Sequence, residues 1–160
     1  FRGEKFILAA SSVTANLPFG KSVGALPDGR KAGEPLSEGG LSPHQGRNNS
    51  GPTATLSSVA KIDSTKISGG SVLNMRFHPD SLKDQAKMKK FVTLLRTFFE
   101  SGGYLAQFNI VSGDILKEAQ KHPEQYRDLL VRVATYSAYF IDLPKELQDD
   151  IIARTEFQDI

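Results

Sequence analysis

The most informative part of this sequence is Val131-Arg132-Val133-Ala134-Thr135-Tyr136-Ser137-Ala138-Tyr139-Phe140. It begins inside an apolar segment, residues 130–133, which only Arg132 interrupts. At its centre lies Thr135, whose β-branched side chain is stiff about χ1. Residues 144–154 follow with apolar side chains at helical spacing, and this pattern predicts a last helix with one buried side.

The composition limits the classes of partner. At 160 residues the chain fits one domain, with 39% hydrophobic and 24% charged residues as in ordinary globular proteins. The net charge is only +2 and the charges are interspersed, so we expect no nucleic acid and no membrane as a partner. No apolar run approaches the roughly 20 residues that span a bilayer, and no signal peptide is evident. We therefore expect a cytoplasmic protein.

Cysteine is absent, which removes disulfides, thiolate metal sites and thiol nucleophiles from the chemistry of this chain alone. The histidines lie on separate segments and lack metal-ligand spacing: His44, His78 and His122. We therefore expect no metal site and no bound cofactor.

Two other patterns resemble functional motifs. The glycine-rich residues 29–51 match neither the dinucleotide fingerprint nor the lysine-containing phosphate loop. Glu34 with Glu38, and Asp149 with Asp150, could be acid/base pairs, but their positions in a loop and on a polar helix face favour solvated charge.

The N-terminal part of the chain is irregular. Residues 5–10 form a strand-like stretch, and the chain starts at Phe1 without an initiator methionine, so we expect a fragment of a longer protein. Residues 11–50 are rich in glycine, proline, serine and asparagine, which is typical of turns and loops. Apolar residues within that segment, such as Phe19 and Leu41, indicate an ordered loop that wraps against something larger.

Helices and strands alternate from residue 52 onward, which predicts a mixed α/β fold. The predicted elements are a helix over 52–60, a strand over 72–77, a helix capped by Ser81, a strand over 104–111 after the Gly102-Gly103 break, and helical segments from about Asp114, Pro123 and Pro144. The buried face predicted for the third of these elements comprises Leu82, Phe91, Leu94, Leu95, Phe98 and Phe99.

The stretch around Thr135 resembles the signature of glycyl radical enzymes of the pyruvate formate-lyase superfamily, which runs Arg-Val-(Ala or Ser)-Gly-Tyr. Only Thr135 departs from it, at the position of the radical-bearing glycine. The other matching blocks are Gly24 to Pro35, Ser42 to Arg47, Gln107 to Val111, His122 to Leu129 and Lys145 to Glu156. Several blocks in register are far more specific than one short match, and the resemblance covers essentially the whole chain.

The resemblance implies a fold. Family members have a ten-stranded α/β barrel in which two finger loops meet, one carrying the radical glycine and the other a cysteine. Residues 1–31 would be the tail end of that barrel domain, and residues 32–160 would be the glycine radical domain with its finger loop. The rest of the barrel, including the cysteine, would lie outside this chain, and the parent protein would be a homodimer.

The resemblance also implies a mechanism. A radical SAM activating enzyme, which uses S-adenosylmethionine and an iron-sulfur cluster, would take a hydrogen from glycine at position 135. The stored radical would then generate a thiyl on the distant cysteine. Arg132, Val133, Ala134 and Tyr136 would form the loop that the activating enzyme recognises, although Val133 and Tyr136 are equally compatible with core packing.

The reaction class that follows is a radical lyase, dehydratase, decarboxylase or formate acetyltransferase-like activity. The block Asp28-Gly29-Arg30-Lys31-Ala32-Gly33-Glu34-Pro35 looks more like the dehydratase, decarboxylase and lyase branches than pyruvate formate-lyase itself. Asn74 and Arg76, polar residues in an apolar strand, could face a substrate or could be an ordinary paired edge.

Threonine at position 135 conflicts with this chemistry. A glycyl radical is delocalised into the flanking amides, which requires a flat α-carbon without side-chain clashes, and glycine alone lacks the Cβ. The chain as written should therefore form no radical. Two alternatives follow, namely a radical-dead homologue that serves as a binding or scaffold protein, and a free-standing radical-domain repair protein.

Overall fold

A three-stranded parallel sheet forms the centre of the molecule. The computed structural model describes residues 3–160. Strand β1 (Asn74–Phe77) lies in the middle of the sheet, between β2 (Gln107–Ile110) and β5 (Glu156–Phe157). The predicted α/β class is thus confirmed.

The described residues form five α-helices. They are α1 (Asn16–Ser22), α2 (Pro52–Ala60), α3 (Gln85–Glu100), α4 (Gly113–Lys121) and α5 (Lys145–Ala153). Short 3₁₀ turns lie at Ser64–Lys66, Pro79–Leu82, Pro123–Gln125 and Phe140–Asp142. A separate antiparallel hairpin joins β3 (Leu130–Arg132) to β4 (Ser137–Tyr139).

Two apolar clusters hold these elements together. One lies between the sheet and helices α2 and α3, where Phe77 is fully buried and meets Phe91 edge to face at 5.5 Å. The other lies beneath the hairpin, where the buried Val131 and Val133 pack with helices α4 and α5. The hairpin is therefore anchored to the core through its first strand.

Most predicted elements are present, and α2 has the predicted bounds. The prediction that Ser81 caps a helix is wrong, because His78-Pro79 starts a 3₁₀ turn in which the Ser81 hydroxyl donates to the His78 carbonyl. Helix α3 begins later, and the Asp84 carboxylate caps it by accepting from the Lys87 amide at 2.8 Å. Phe99 is 48% exposed, so it lies off the predicted apolar face.

The predicted strand over residues 5–10 is mostly absent. Only Ala10 forms a bridge, parallel to Ser71, and Phe6 is 93% exposed. An extended backbone needs a hydrogen-bonded neighbour on at least one side to count as a strand, and only the last residues of this stretch have one. Phe1 and Arg2, the start of the predicted barrel segment 1–31, lie outside the described residues.

Residues 11–50, which the sequence predicts to be an ordered loop, contain helix α1 and are otherwise irregular. The irregular part after α1 is arranged around one buried side chain, which the sequence did not predict. Arg30 is 1% exposed, and its guanidinium donates to the backbone carbonyls of Gly20, Gly24, Glu34 and Pro35. Several carbonyls of an irregular segment are thereby paired away from water, as buried backbone groups require.

Candidate functional site

The hairpin places Thr135 at its tip. Residues 130, 131 and 132 pair with residues 139, 138 and 137, and the Val133 amide donates to the Tyr136 carbonyl at 2.9 Å. Val133 and Ala134 are fully buried, whereas Thr135 is exposed. The hairpin is therefore a finger whose base is fixed in the core and whose tip points outward.

The backbone at the tip accommodates threonine. Among the described residues, Val13 is the only non-glycine residue with a positive φ, so Thr135 does not occupy the left-handed region that favours glycine. Threonine therefore fits this loop without the backbone strain that only glycine avoids. The difference between threonine and glycine at the tip lies in the side chain at the α-carbon and not in the loop conformation.

Arg132 connects the finger to strand β2 and to its own tip. Its guanidinium donates through Nε to Gln107 Oε1 at 2.8 Å and through Nη2 to the Thr135 carbonyl at 3.1 Å. Its backbone amide donates to Asn109 Oδ1 at 2.7 Å, and Asn109 Nδ2 donates to its carbonyl, also at 2.7 Å. One residue of the finger is thus held at both its backbone and its side chain.

A second arginine holds the other side of the tip. Arg154, which follows helix α5, is 7% exposed and donates through Nη1 to the Val133 carbonyl at 2.8 Å. Asp150 fixes this guanidinium by accepting from its Nη2 at 2.9 Å, and Gln45 donates to the same carboxylate at 2.9 Å. The carbonyls of Val133 and Thr135 therefore each accept a hydrogen bond from a guanidinium cation. Hydrogen bonds from a charged donor are stronger than those from a neutral one.

Glu38 completes this buried polar network. It lies 3.9 Å from the Arg154 guanidinium and accepts a hydrogen bond from Asn74. Burial raises the pKa of the Glu38 carboxyl above its ordinary value, and Arg154 and the bond from Asn74 oppose that rise only in part. The prediction of solvated charge is wrong for Glu38 and Asp150, which are 6% and 4% exposed, because both carboxylates serve buried partners.

Asn74 and Arg76 point into the same network. Arg76 is 5% exposed and donates to the carbonyls of Ile151, Ile152 and Arg154, the last of them at 2.6 Å. These are orphan carbonyls at the end of helix α5, which a cation suits. Asn74 and Arg76 line a cavity of about 20 Å³, room for about one water molecule and far too small for a substrate.

None of the three histidines forms a hydrogen bond or an ion pair with the finger. His78 Nδ1 accepts from the Asp80 amide at 3.1 Å, in the 3₁₀ turn that follows β1. Across residues 3–160, no three histidine, cysteine or acidic side chains converge as metal ligands. No described helix is long and apolar enough to cross a membrane.

The residues predicted for the finger fall together in the hairpin. Arg132 is partly buried, Val133 and Ala134 are fully buried, and Tyr136 is 40% exposed. The anchoring residues, in contrast, were not predicted: Gln107, Asn109, Glu38, Asp150 and Arg154. Gln107 and Asn109 did leave a signal, because two polar residues at alternate positions of an otherwise apolar strand lie on one face of it.

These features define an α/β domain with a hairpin whose base is buried in the core and whose tip is exposed. Residues 37–141 match the model of the glycine radical family, and the chain belongs to that family. This is the C-terminal glycine radical domain of glycyl radical enzymes, as the finger stretch predicts.

Relatives with assigned names are similar over nearly the whole chain. "Probable dehydratase YbiW" of Escherichia coli is 50% identical over 96% of this chain, and indoleacetate decarboxylase of Tractidigestivibacter scatoligenes is 45% identical over 98%. Trans-4-hydroxy-L-proline dehydratase of Clostridioides difficile is 44% identical over 96%. The chain spans only 18–19% of the length of these three relatives.

Solved structures agree with the sequence matches. The glycerol-bound B12-independent glycerol dehydratase of Clostridium butyricum superposes with a TM-score of 0.93 at 46% identity, over 98% of this chain and 20% of that chain. A glycyl radical enzyme of Archaeoglobus fulgidus gives a TM-score of 0.89 at 38% identity, over the same shares of the two chains. The fold of this domain is therefore that of the family.

Proposed function

We propose that this chain is the domain of a glycyl radical enzyme in which position 135, when it is glycine, stores the protein radical and relays it to a cysteine outside the chain. The observation that carries this proposal is the finger hairpin, whose exposed tip is residue 135 and whose base is fixed in the core. A stored radical has to be accessible twice, once to an activating enzyme and once to the cysteine. In this domain the anchored hairpin leaves residue 135 uncovered, so an activating enzyme and the barrel that carries the cysteine can each contact it.

Threonine at this tip blocks the first step. In glycine, one α-hydrogen is removed and the other stays. In threonine a β-branched side chain stands in place of one of the two, and we propose that this is the hydrogen that the activating enzyme removes. We therefore propose that the domain with Thr135 forms no radical, and that the domain with glycine at this position does. The unstrained backbone supports this proposal, because the exchange changes the chemistry of the tip without requiring another loop shape.

We propose that the parent enzyme is a dehydratase, a decarboxylase or a lyase. Similar relatives include two named as dehydratases, one of them as a probable dehydratase, one named as a decarboxylase, and an isethionate sulfite-lyase at 43% identity. The proposed partners are a radical SAM activating enzyme, a thiyl-bearing barrel of the ten-stranded type, and a second copy of the parent protein. Within this assembly, residues 1–31 would belong to the barrel and residues 32–160 to the radical domain, and Arg132, Val133, Ala134 and Tyr136 would contribute to recognition by the activating enzyme.

Activation of the full-length protein tests the proposal. The Thr135→Gly variant, treated anaerobically with S-adenosylmethionine and an activating enzyme that works on a relative, should give a glycyl doublet by electron paramagnetic resonance. The protein with Thr135 should stay silent. Ser137→Gly is the matched control, since it places a glycine in the same hairpin two residues away and should also stay silent. A silent Thr135→Gly protein would refute the proposal.

A further inference from the structure

We propose that Gln107 and Asn109 are positioning residues for the radical-bearing position, because they hold Arg132 so that its guanidinium donates to the backbone carbonyl of residue 135. This inference rests on the proposed function for its chemical meaning. Its geometry can be tested independently of that function.

Strand β2 offers two amide side chains to the finger. Gln107 and Asn109 are alternate residues of one strand, so their side chains leave the same face of the sheet. Asn109 makes both hydrogen bonds that a neighbouring strand would make, one to the amide and one to the carbonyl of Arg132, each at 2.7 Å. It thus extends the ladder from β2 to β3, although the two strands are not paired through their backbones.

Gln107 orients the guanidinium of the same residue. An arginine side chain has several rotatable bonds, so its planar guanidinium takes one orientation only where an acceptor fixes it. Gln107 Oε1 accepts a hydrogen bond from Arg132 Nε at 2.8 Å. This bond leaves the two Nη atoms of the guanidinium directed towards the finger tip. Nη2 then donates to the Thr135 carbonyl at 3.1 Å, whereas the contact of Nη1 with Ser137 Oγ is longer, at 3.4 Å.

The carbonyl of residue 135 matters for a radical at that residue. An unpaired electron on the α-carbon spreads onto the attached carbonyl, and a cationic donor at that oxygen favours this spread. The donor also fixes the plane of the peptide that follows the radical centre. Arg132 therefore has a role in the stored state that is separate from any recognition by an activating enzyme.

Hydrogen exchange of the full-length protein with Thr135 tests the geometry. Gln107→Leu removes the acceptor, and exchange of the backbone amides over residues 130–137 should become at least about fivefold faster, as expected for one lost hydrogen bond. Gln107→Glu keeps an acceptor and should restore slow exchange. Gln120→Leu is the matched control, because it removes a side-chain hydrogen bond from Gln120 on helix α4 to Asp149 on helix α5, which no finger residue makes. Wild-type exchange in Gln107→Leu would overturn the proposal.

Electron paramagnetic resonance tests the effect on the radical. In a Thr135→Gly background, Gln107→Leu should alter the doublet splitting and the g anisotropy, and Gln107→Glu should not. Asn109→Asp is a second variant, which keeps the acceptor for the Arg132 amide but sets a carboxylate oxygen against its carbonyl, and it should alter the spectrum as well. An identical spectrum in all variants would overturn the proposal. If Thr135→Gly formed no radical at all, the proposed function would fail and the exchange experiment would still decide the positioning role.

Discussion

The side chain at position 135 and the backbone at position 135 make different demands. The backbone demand is met by threonine, since a positive φ is absent there, whereas the proposed radical chemistry requires the α-hydrogen that the threonine side chain replaces. Sequence reasoning located this residue through the family signature and identified the chemical conflict. It could not separate the two demands, because the backbone angle depends on how Arg132 and Arg154 hold the loop.

The first prediction concerns the stability of the tip. Thr135→Gly should change the free energy of unfolding by less than about 1 kcal/mol, since an exposed residue loses little packing and glycine adds only chain entropy. Val133→Gly, two residues earlier, should cost about 2–4 kcal/mol because Val133 is fully buried. Denaturant unfolding of both variants measures the contrast. Equal losses in the two variants would contradict this assignment of base and tip.

Glu38 should give the domain a recognisable pH dependence. Its raised pKa means that the folded state binds a proton where the unfolded chain has already released it, so stability falls as pH rises through that window. Glu38→Gln cannot titrate, and it should gain stability relative to the natural side chain as pH rises from about 4 towards neutrality. Unfolding curves at several pH values measure the difference. A difference that stays constant or shrinks over this range would contradict the raised pKa of the buried Glu38 carboxyl.

At the scale of elements, buried arginines organise the irregular parts of the chain. Arg30 gathers the carbonyls of the long loop, Arg76 closes the end of helix α5, and Arg154 joins that end to the finger. Helices α2, α4 and α5 followed from periodicity and caps. The arginine contacts did not, because a side chain that bonds distant carbonyls leaves no periodic pattern in the sequence.

Arg30→Lys tests this role in the long loop. A lysine has one nitrogen where arginine has three, so at least one of the carbonyls now paired would be left buried without a donor. We expect a loss of about 2–4 kcal/mol in unfolding free energy and faster proteolysis between residues 20 and 35. Arg47→Lys, at an exposed arginine of the same loop, is the control and should change stability by less than about 0.5 kcal/mol. Similar behaviour of the two variants would contradict the account.

At the scale of the whole molecule, the α/β class and the family were predictable from sequence. The family followed from matching blocks that are spread over the chain. Because the strands of the sheet are short, the α/β class followed from the order of the elements rather than from any single strand. The strand predicted for residues 5–10 failed for a physical reason, since a strand needs a hydrogen-bonded neighbour and, among the described residues of this stretch, only Leu8 and Ala10 make backbone hydrogen bonds to one. The prediction that Glu38 and Asp150 are solvated failed for a different reason. Their positions in a loop and on a helix do not reveal ionic partners that are distant in sequence.

The central claim is that Thr135 alone keeps this finger from storing a radical. The most direct measurement is the electron paramagnetic resonance spectrum of the full-length Thr135→Gly protein, activated anaerobically after growth on glycine deuterated at the α-carbon. The account predicts a doublet in the unlabelled protein that collapses towards a single line in the deuterated one, because the splitting arises from the remaining α-hydrogen of residue 135. Absence of the doublet, or a doublet that deuteration leaves unchanged, would contradict the account.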